Sequence, residues 1–72
     1  MYELWDLQSG NLIDTFLTEA EALAWVRRSL KDDGPGYAQG LAMLSLEAGG
    51  ERLLTAQGGA LVELALTRAP AA

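Results

Sequence analysis

Cysteine and histidine are both absent from this 72-residue sequence. Without cysteine the chain can form neither a disulfide nor a thiolate zinc site. Without histidine it lacks the commonest metal ligand and the usual general base near neutral pH. The common nucleophile–base pairs therefore cannot be assembled within the chain. We expect no metal, no cofactor and no catalytic residues, and hence no enzyme.

Positive charge and long apolar runs are also scarce. Five Lys and Arg residues stand against ten Asp and Glu, which gives a net charge of −5. Nucleic acids and anionic membrane surfaces repel such a chain. No apolar run approaches the ~20 residues of a membrane span, and segment 1–4 has no basic stretch typical of a signal peptide. We expect a bacterial-type cytoplasmic protein that binds neither nucleic acid nor membrane.

Hydrophobic residues, in contrast, make up half of the chain. This fraction is too high for a disordered segment. A chain of this length has room for one domain and buries only about 60% of its unfolded surface, so its stability margin is thin. We predict a single α+β domain over residues 1–68 and a frayed tail over residues 69–72.

The first elements are predicted to be two paired strands. Segments 2–7 and 12–17 are rich in aromatic, β-branched and large aliphatic residues, and turn-forming residues lie between them. If Gly10-Asn11 is a two-residue loop, Trp5 lies opposite Phe16, which pairs two large apolar side chains. The sequence therefore predicts a β-hairpin in this register.

A helix is predicted to follow over residues 19–32. Thr18 and Glu21 have the spacing of a capping box, in which each side chain accepts a hydrogen bond from a free backbone N–H. Gly34 suits the left-handed residue that ends a helix, and Pro35 prevents continuation. The apolar stripe of this helix consists of Ala22, Leu23, Val26 and Leu30.

The second half repeats the pattern of strands and turns. After a connector over 36–40, strands are predicted over 41–47 and 52–56, joined by a turn. Segment 60–67 fits either a helix or a strand, and its Ala and Leu content favours a short helix. The predicted fold is therefore ββαββα, an antiparallel sheet with one main helix packed on one face.

Two other patterns could carry chemistry. Asp6 and Asp14 lie on neighbouring strands, and 32–33 is a pair of acids at a helix end. Paired carboxylates can act as acid and base when burial separates their pKa values, but we interpret these as solvated surface groups. The glycines of 34–40 do not have the spacing of a dinucleotide-binding loop, so we interpret them as a turn.

Both faces of the predicted strands are apolar. Leu41 and Met43 point one way while Ala42 and Leu44 point the other, whereas a sheet with one solvated face alternates apolar and polar residues. One helix covers only part of one face, so the other needs the C-terminal segment or another chain. We therefore predict a homodimer or a protein partner, with Leu41, Met43 or segment 60–66 at the interface.

Two aromatic residues are further interface candidates. Trp25 lies on the shoulder of the helix's apolar stripe, where it either covers the core's edge against the C-terminal segment or anchors an interface. Tyr37, in a glycine-flanked loop, either packs on the helix end or contacts a partner. The complete set of candidate interface residues is Trp25, Tyr37, Leu41, Met43, Leu61 and Leu64.

Two resemblances concern the first third of the chain. Asp14-Thr15-Phe16 followed by Thr18-Glu19-Ala20-Glu21-Ala22-Leu23 resembles antitoxins of the HicB type, in which a hairpin leads into a helix opening with Thr and Glu-Glu-Ala. The stretch Tyr2-Glu3-Leu4-Trp5-Asp6 with Ser9-Gly10-Asn11 resembles short bacterial proteins of unknown function. Neither resemblance implies a catalytic residue.

Two functional hypotheses follow from these observations. The first is a non-enzymatic protein-interaction module that self-associates, as a regulator that neutralises or senses a partner protein. The alternative is a small-molecule binding domain with a pocket between sheet and helix, near Trp5, Trp25 and Tyr37.

Overall fold

A computed structural model describes residues 1–68, and the predicted tail 69–72 lies outside the described residues. The predicted α+β class and the ββαββα order are confirmed, and the ambiguous segment 60–67 is helical. The elements are β1 (Tyr2–Asp6), β2 (Asn11–Phe16), α1 (Glu19–Asp33), α2 (Pro35–Ala38), β3 (Leu41–Leu46), β4 (Arg52–Gln57) and α3 (Gly58–Thr67).

The four strands form one antiparallel sheet in the order β2-β1-β3-β4. The first strand of each ββα unit is therefore central, and the second strand of each unit lies at an edge. Each edge strand also contains one residue that the ladder leaves without a partner, Ile13 in β2 and Thr55 in β4. The two halves of the sheet thus have matching β-bulges.

The helices α1 and α3 pack on the same face of this sheet. Leu61 and Ala65 of α3 belong to the same buried cluster as the apolar stripe of α1 and the strand residues Leu4 and Met43. Ser29, buried on α1, has a hydroxyl oxygen without a hydrogen-bond partner in the described part of the chain. The core cluster consists of Leu4, Ala22, Leu23, Val26, Leu41, Met43, Leu61 and Ala65.

Two arginines join α1 to the end of α3. The Arg27 guanidinium donates hydrogen bonds from Nη1 to the carbonyl oxygens of Ala65, at 3.0 Å, and Arg68, at 3.2 Å. These carbonyls lie at the C-terminal end of α3, where a cation interacts favourably with the helix dipole. Arg68 in turn forms an ion pair with Glu19 of α1. The C-terminal helix is therefore held to α1 by polar contacts as well as by the core.

The hairpin register differs from the prediction. Trp5 lies opposite Leu12, and Phe16 lies opposite Tyr2. The last pair joins Asp6 to Asn11, so the connection is a four-residue loop over residues 7–10 and the predicted two-residue loop is wrong.

The Asp6 side chain explains the longer loop. Its Oδ1 accepts a hydrogen bond from the backbone N–H of Gln8 at 2.9 Å, while its backbone carbonyl accepts one from Gly10 at 2.8 Å. Gly10 supplies the positive φ of 75° that such a turn requires. Aspartate commonly closes a turn in this way, and here these local bonds outweigh the pairing of large apolar side chains.

The ends of α1 follow local capping chemistry. Thr18 Oγ1 accepts a hydrogen bond from the Glu21 N–H at 3.2 Å, as predicted. Among the described hydrogen bonds the reciprocal one to the Glu21 carboxylate is missing, so only half of the capping box forms. The helix extends to Asp33, one residue further than predicted, and Gly34, with φ of 83°, donates its N–H to the Leu30 carbonyl at 3.1 Å.

The connector after α1 is more regular than predicted. Residues Pro35–Ala38 form one helical turn, α2, with proline at its first position, where its missing N–H has no consequence. The Ala38 side chain is fully buried. α2 therefore adds to the layer formed by α1 and α3.

The cap at Thr18 gives a first prediction. Thr18→Ala should lower the free energy of unfolding by about 1 kcal/mol, because the Glu21 N–H loses its acceptor. Urea denaturation followed by circular dichroism measures the change. Thr18→Ser, which keeps the hydroxyl, is the control and should lose much less; equal losses for both variants would contradict the assigned cap.

The position of α3 gives a second prediction. Leu61 is fully buried while Leu66 on the same helix is 64% exposed. Leu61→Ala should cost about 2–5 kcal/mol because it leaves a cavity in the core, whereas Leu66→Ala should change stability by about 0.5 kcal/mol or less. Both values come from the same denaturation experiment, and similar losses at the two positions would show that α3 does not pack as described.

Candidate interaction surface

The face of the sheet that points away from α1 and α3 is the candidate site, and we call it the open face. Leu4 and Met43 lie opposite each other and point into the core, so the residues next to them on each strand point outward. The apolar members of the open face are Met1, Trp5, Leu7, Leu12, Ala42, Leu44, Leu46 and Leu54. Its polar members are Glu3, Thr15, Arg52 and Gln57.

Much of the apolar surface of the described chain lies on this face. Eight large hydrophobic side chains of residues 1–68 are exposed, and Met1, Leu7, Leu12 and Leu54 are four of them. Leu54, next to the half-buried Leu44, is 56% exposed. Contiguous apolar surface of this kind is typical of a binding site, whereas scattered single leucines are ordinary.

A buried carboxylate lies among these apolar side chains. Glu3 is only 4% exposed. Its Oε1 accepts a hydrogen bond from Arg52 Nε at 2.7 Å and another from Trp5 Nε1 at 3.2 Å. A charge removed from water in this way requires such partners. The pair links β1 to β4 across the intervening strand β3.

The electrostatics of Glu3 follow from these contacts. The hydrogen bond from Arg52 lowers the pKa of the Glu3 carboxyl; burial opposes this shift, and the Trp5 hydrogen bond and the arginine's charge add to it. The same pairing raises the pKa of the Arg52 guanidinium. Because Glu3 and Arg52 are the charged members of the open face, their pairing leaves that face without net charge.

Sequence reasoning did not identify this ion pair. In the sequence, Glu3 stands between Tyr2 and Leu4 and shares the strand face of Trp5. A carboxylate at that position was the available signal. Arg52 is 49 residues away in sequence, so only the tertiary pairing of β1, β3 and β4 reveals it as the partner.

Three of the six predicted interface residues lie in the core. Leu41, Met43 and Leu61 are fully buried between the sheet and the helices, so they are not accessible to a partner in the folded chain. The predicted division of the β3 side chains between two faces is correct, but the helices cover the face of Leu41 and Met43. The side with accessible apolar groups is the other one, where Leu44 and Leu46 are half-buried and Ala42, between larger neighbours, is 2% exposed.

The other three predicted residues do not form one surface with the open face. Leu64 and Trp25 are half-buried against the core from the helical side, and Tyr37, in α2, is 41% exposed. Trp25 lies near Phe16 of β2. Trp5 belongs to the opposite face of the sheet, so the aromatic residues of the alternative pocket are not brought together.

A shallow hollow does occur beside Trp25. It has a volume of about 260 Å³ and is lined by Phe16, Glu21, Ala24, Trp25 and Arg28. Ligand pockets usually measure about 300–1,000 Å³ and enclose most of their ligand. The hollow is therefore small for a dedicated small-molecule site.

The two acids on neighbouring strands, Asp6 and Asp14, accept hydrogen bonds from nearby backbone groups. Asp6 closes the hairpin loop, and Asp14 Oδ1 accepts a hydrogen bond from the Thr15 N–H at 2.8 Å. Within residues 1–68 no three acidic side chains come close enough together to hold a metal ion. None of the helices in that part of the chain is long and apolar enough to cross a membrane.

Comparison with known proteins gives no further assignment. The chain matches no protein-family model, no curated protein and no solved structure. The open face and its ion pair are therefore the features from which a function has to be argued.

The lowered pKa of Glu3 gives a third prediction. The Glu3–Arg52 contribution to stability should be complete above the ordinary glutamate pKa of 4.5 and should be lost as the pH falls from there through the lowered pKa, because protonation removes the carboxylate's charge. Glu3→Gln should therefore be less stable than wild type at neutral pH, and the difference should shrink as the solution is acidified below that value.

Denaturant titrations of both proteins at a series of pH values measure this difference. Glu63→Gln, at an exposed position on α3, is the control and should differ little from wild type throughout. A Glu3→Gln effect that is the same at neutral and at strongly acidic pH would show that the carboxylate's charge is unimportant.

Proposed function

We propose that the protein is a non-enzymatic interaction module that binds a second copy of itself through the open face. The observation that carries this proposal is that α1, α2 and α3 all lie in one layer, while the other side of the sheet presents contiguous apolar side chains to water. Burial of apolar surface is the main favourable contribution to protein association. The open face, with its mainly apolar members, has the composition of such an interface.

The distribution of charge favours a second copy as the partner. The chain has a net charge of −5, so two copies repel each other wherever acidic surfaces approach. On the open face, Glu3 and Arg52 neutralise each other, and the remaining members have uncharged side chains. Two copies can therefore meet there with little repulsion, whereas a strongly basic partner would find no complementary charge.

The size of the open face indicates how tightly copies associate. Four strands about 4.8 Å apart and about 20 Å long give a footprint of roughly 400 Å². Interdigitating side chains bury more accessible area than the flat footprint, but the result stays at or below the roughly 800 Å² per partner of a standard interface. We therefore expect a dimer that dissociates in the micromolar range.

A regulatory role in a bacterial cytoplasm is consistent with this proposal. An equilibrium between dimer and monomer in the micromolar range responds to changes in protein concentration, and a partner protein that binds the open face would compete with self-association. The resemblance of segment 14–23 to HicB-type antitoxins supports a regulator of this kind. That segment forms the end of β2 and the capped start of α1.

Binding of a small molecule in the hollow beside Trp25 is the second candidate. It is favoured by the lining, in which the Trp25 indole and the Arg28 guanidinium suit an aromatic ligand with an anionic group at the Arg28 end, away from the Glu21 carboxylate. A change in tryptophan fluorescence on titration with such compounds, abolished by Trp25→Leu and retained by Trp5→Leu, would support it.

Self-association gives a fourth prediction. Leu54→Lys should shift the protein to monomer, because an ammonium group would have to be buried in an apolar interface. Leu66→Lys, at a similarly exposed leucine on α3, should leave the dimer intact. Light scattering over a concentration series from low to high micromolar gives the mass of each protein.

The wild-type protein should change from 7.7 kDa towards twice that mass as its concentration rises. A wild-type protein that stays monomeric up to high concentration would overturn the proposal. Dissociation by Leu66→Lys but not by Leu54→Lys would place the interface on the helical layer instead.

A further inference from the structure

We infer that the two copies stack face to face, so that their open faces form the inside of a β-sandwich, and that they do not join edge to edge into a continuous sheet. This inference rests on the proposed self-association and specifies its geometry. Both arrangements are available in principle to a four-stranded open sheet, because its outer strands β2 and β4 have unpaired backbone groups as well as an apolar side.

The edges of the sheet are poorly suited to pairing. Ile13 in β2 and Thr55 in β4 are bulged residues without a ladder partner. A bulge bends its strand, increases its twist and interrupts the regular row of N–H and C=O groups that an added strand would need. Because both outer strands have one, neither edge presents an uninterrupted row for an added strand.

The open face is well suited to stacking. All four strands contribute outward apolar side chains: Trp5, Leu12, Leu44 and Leu54 stand on β1, β2, β3 and β4 respectively. Stacked sheets pack about 10 Å apart with their inner side chains interdigitated. Edge pairing would leave all four of these side chains in water, whereas stacking would bury them together.

The Glu3–Arg52 pair is compatible with burial in such a stack. A lone charge enclosed between two sheets would be strongly unfavourable. Glu3 is already buried and already accepts two hydrogen bonds, so stacking removes little additional water from it. The more exposed Arg52 stands on the edge strand β4, at the rim of the stacked area, where its guanidinium keeps access to solvent.

Symmetry places Leu44 close to its own copy in the stack. In a two-fold dimer of stacked sheets the axis passes between the sheet centres, and Leu44 lies on the central strand β3 near that centre. Its Cα should be about 10 Å from the partner copy's. If β4 paired edge to edge with a second β4, the two Leu44 Cα atoms would be at least about 14 Å apart, because three strand spacings would separate them.

The absence of cysteine makes the experiment direct, since an introduced cysteine is the only thiol. Leu44→Cys is treated with a bismaleimide whose spacer reaches the distance expected for stacked sheets but not the longer distance expected for edge pairing. This variant should give a covalent dimer in high yield. Thr55→Cys on the edge strand should give little, and Leu66→Cys on the helical layer should give none. Ala42→Cys, also on β3, serves as the second central variant if Leu44→Cys weakens association.

Light scattering on each variant distinguishes a failure of self-association from a failure of the stacking geometry. If the unmodified protein and the variants are monomeric, self-association itself fails. If they are dimeric and Thr55→Cys is cross-linked while Leu44→Cys and Ala42→Cys are not, the dimer forms through the edge and the stacking inference is overturned. A dimer in which none of these positions is cross-linked overturns it as well.

Discussion

The rest of the structure depends on one constraint: both faces of the sheet are apolar, but within residues 1–68 the helices cover only one of them. The two ββα units are arranged with β1 and β3 antiparallel at the centre and with matching bulges in the outer strands. The two ββα units are therefore related by an approximate two-fold axis perpendicular to the sheet. Such an axis maps each face onto itself, so the helix of the second unit has to join the helix of the first. As a consequence, nothing within residues 1–68 covers the other face.

The ion pair on the open face follows from the same constraint. A charged residue in the middle of an apolar sheet face would be unfavourable for the monomer unless it were paired, and Glu3 obtains its partner from β4, on the other half of the sheet. The Glu3–Arg52 contact therefore ties the two ββα units together on the open side, as Arg27 and Arg68 do on the helical side. The pairing lets an otherwise apolar sheet face include a buried carboxylate.

Signals between residues close in sequence predicted much of the fold. Most of the errors concern contacts between residues distant in sequence. Thr18 and Gly34 define α1 because capping depends on residues a few positions apart. The hairpin register was wrong because the Asp6 side chain bonds to its own loop, which strand patterning does not reveal. The alternation in β3 showed that both faces are apolar, but not which one the helices cover. Leu41 and Met43 were therefore assigned to an interface although they form the core, and Glu3 was missed because its partner is distant in sequence.

Symmetry and the bulged edges explain why association would stop at two copies. Once two open faces are stacked, the outer surfaces of the assembly are the helical layers, where the exposed acidic residues Glu21 and Asp32 lie among the exposed basic residues Arg28 and Lys31. The bulges in β2 and β4 disfavour lateral growth of the sheet. An isologous contact uses the same surface of both copies and leaves none of it free. The symmetric contact and the bulged edges thus act together, since each disfavours one of the two directions in which a thin sheet with an apolar face could otherwise aggregate.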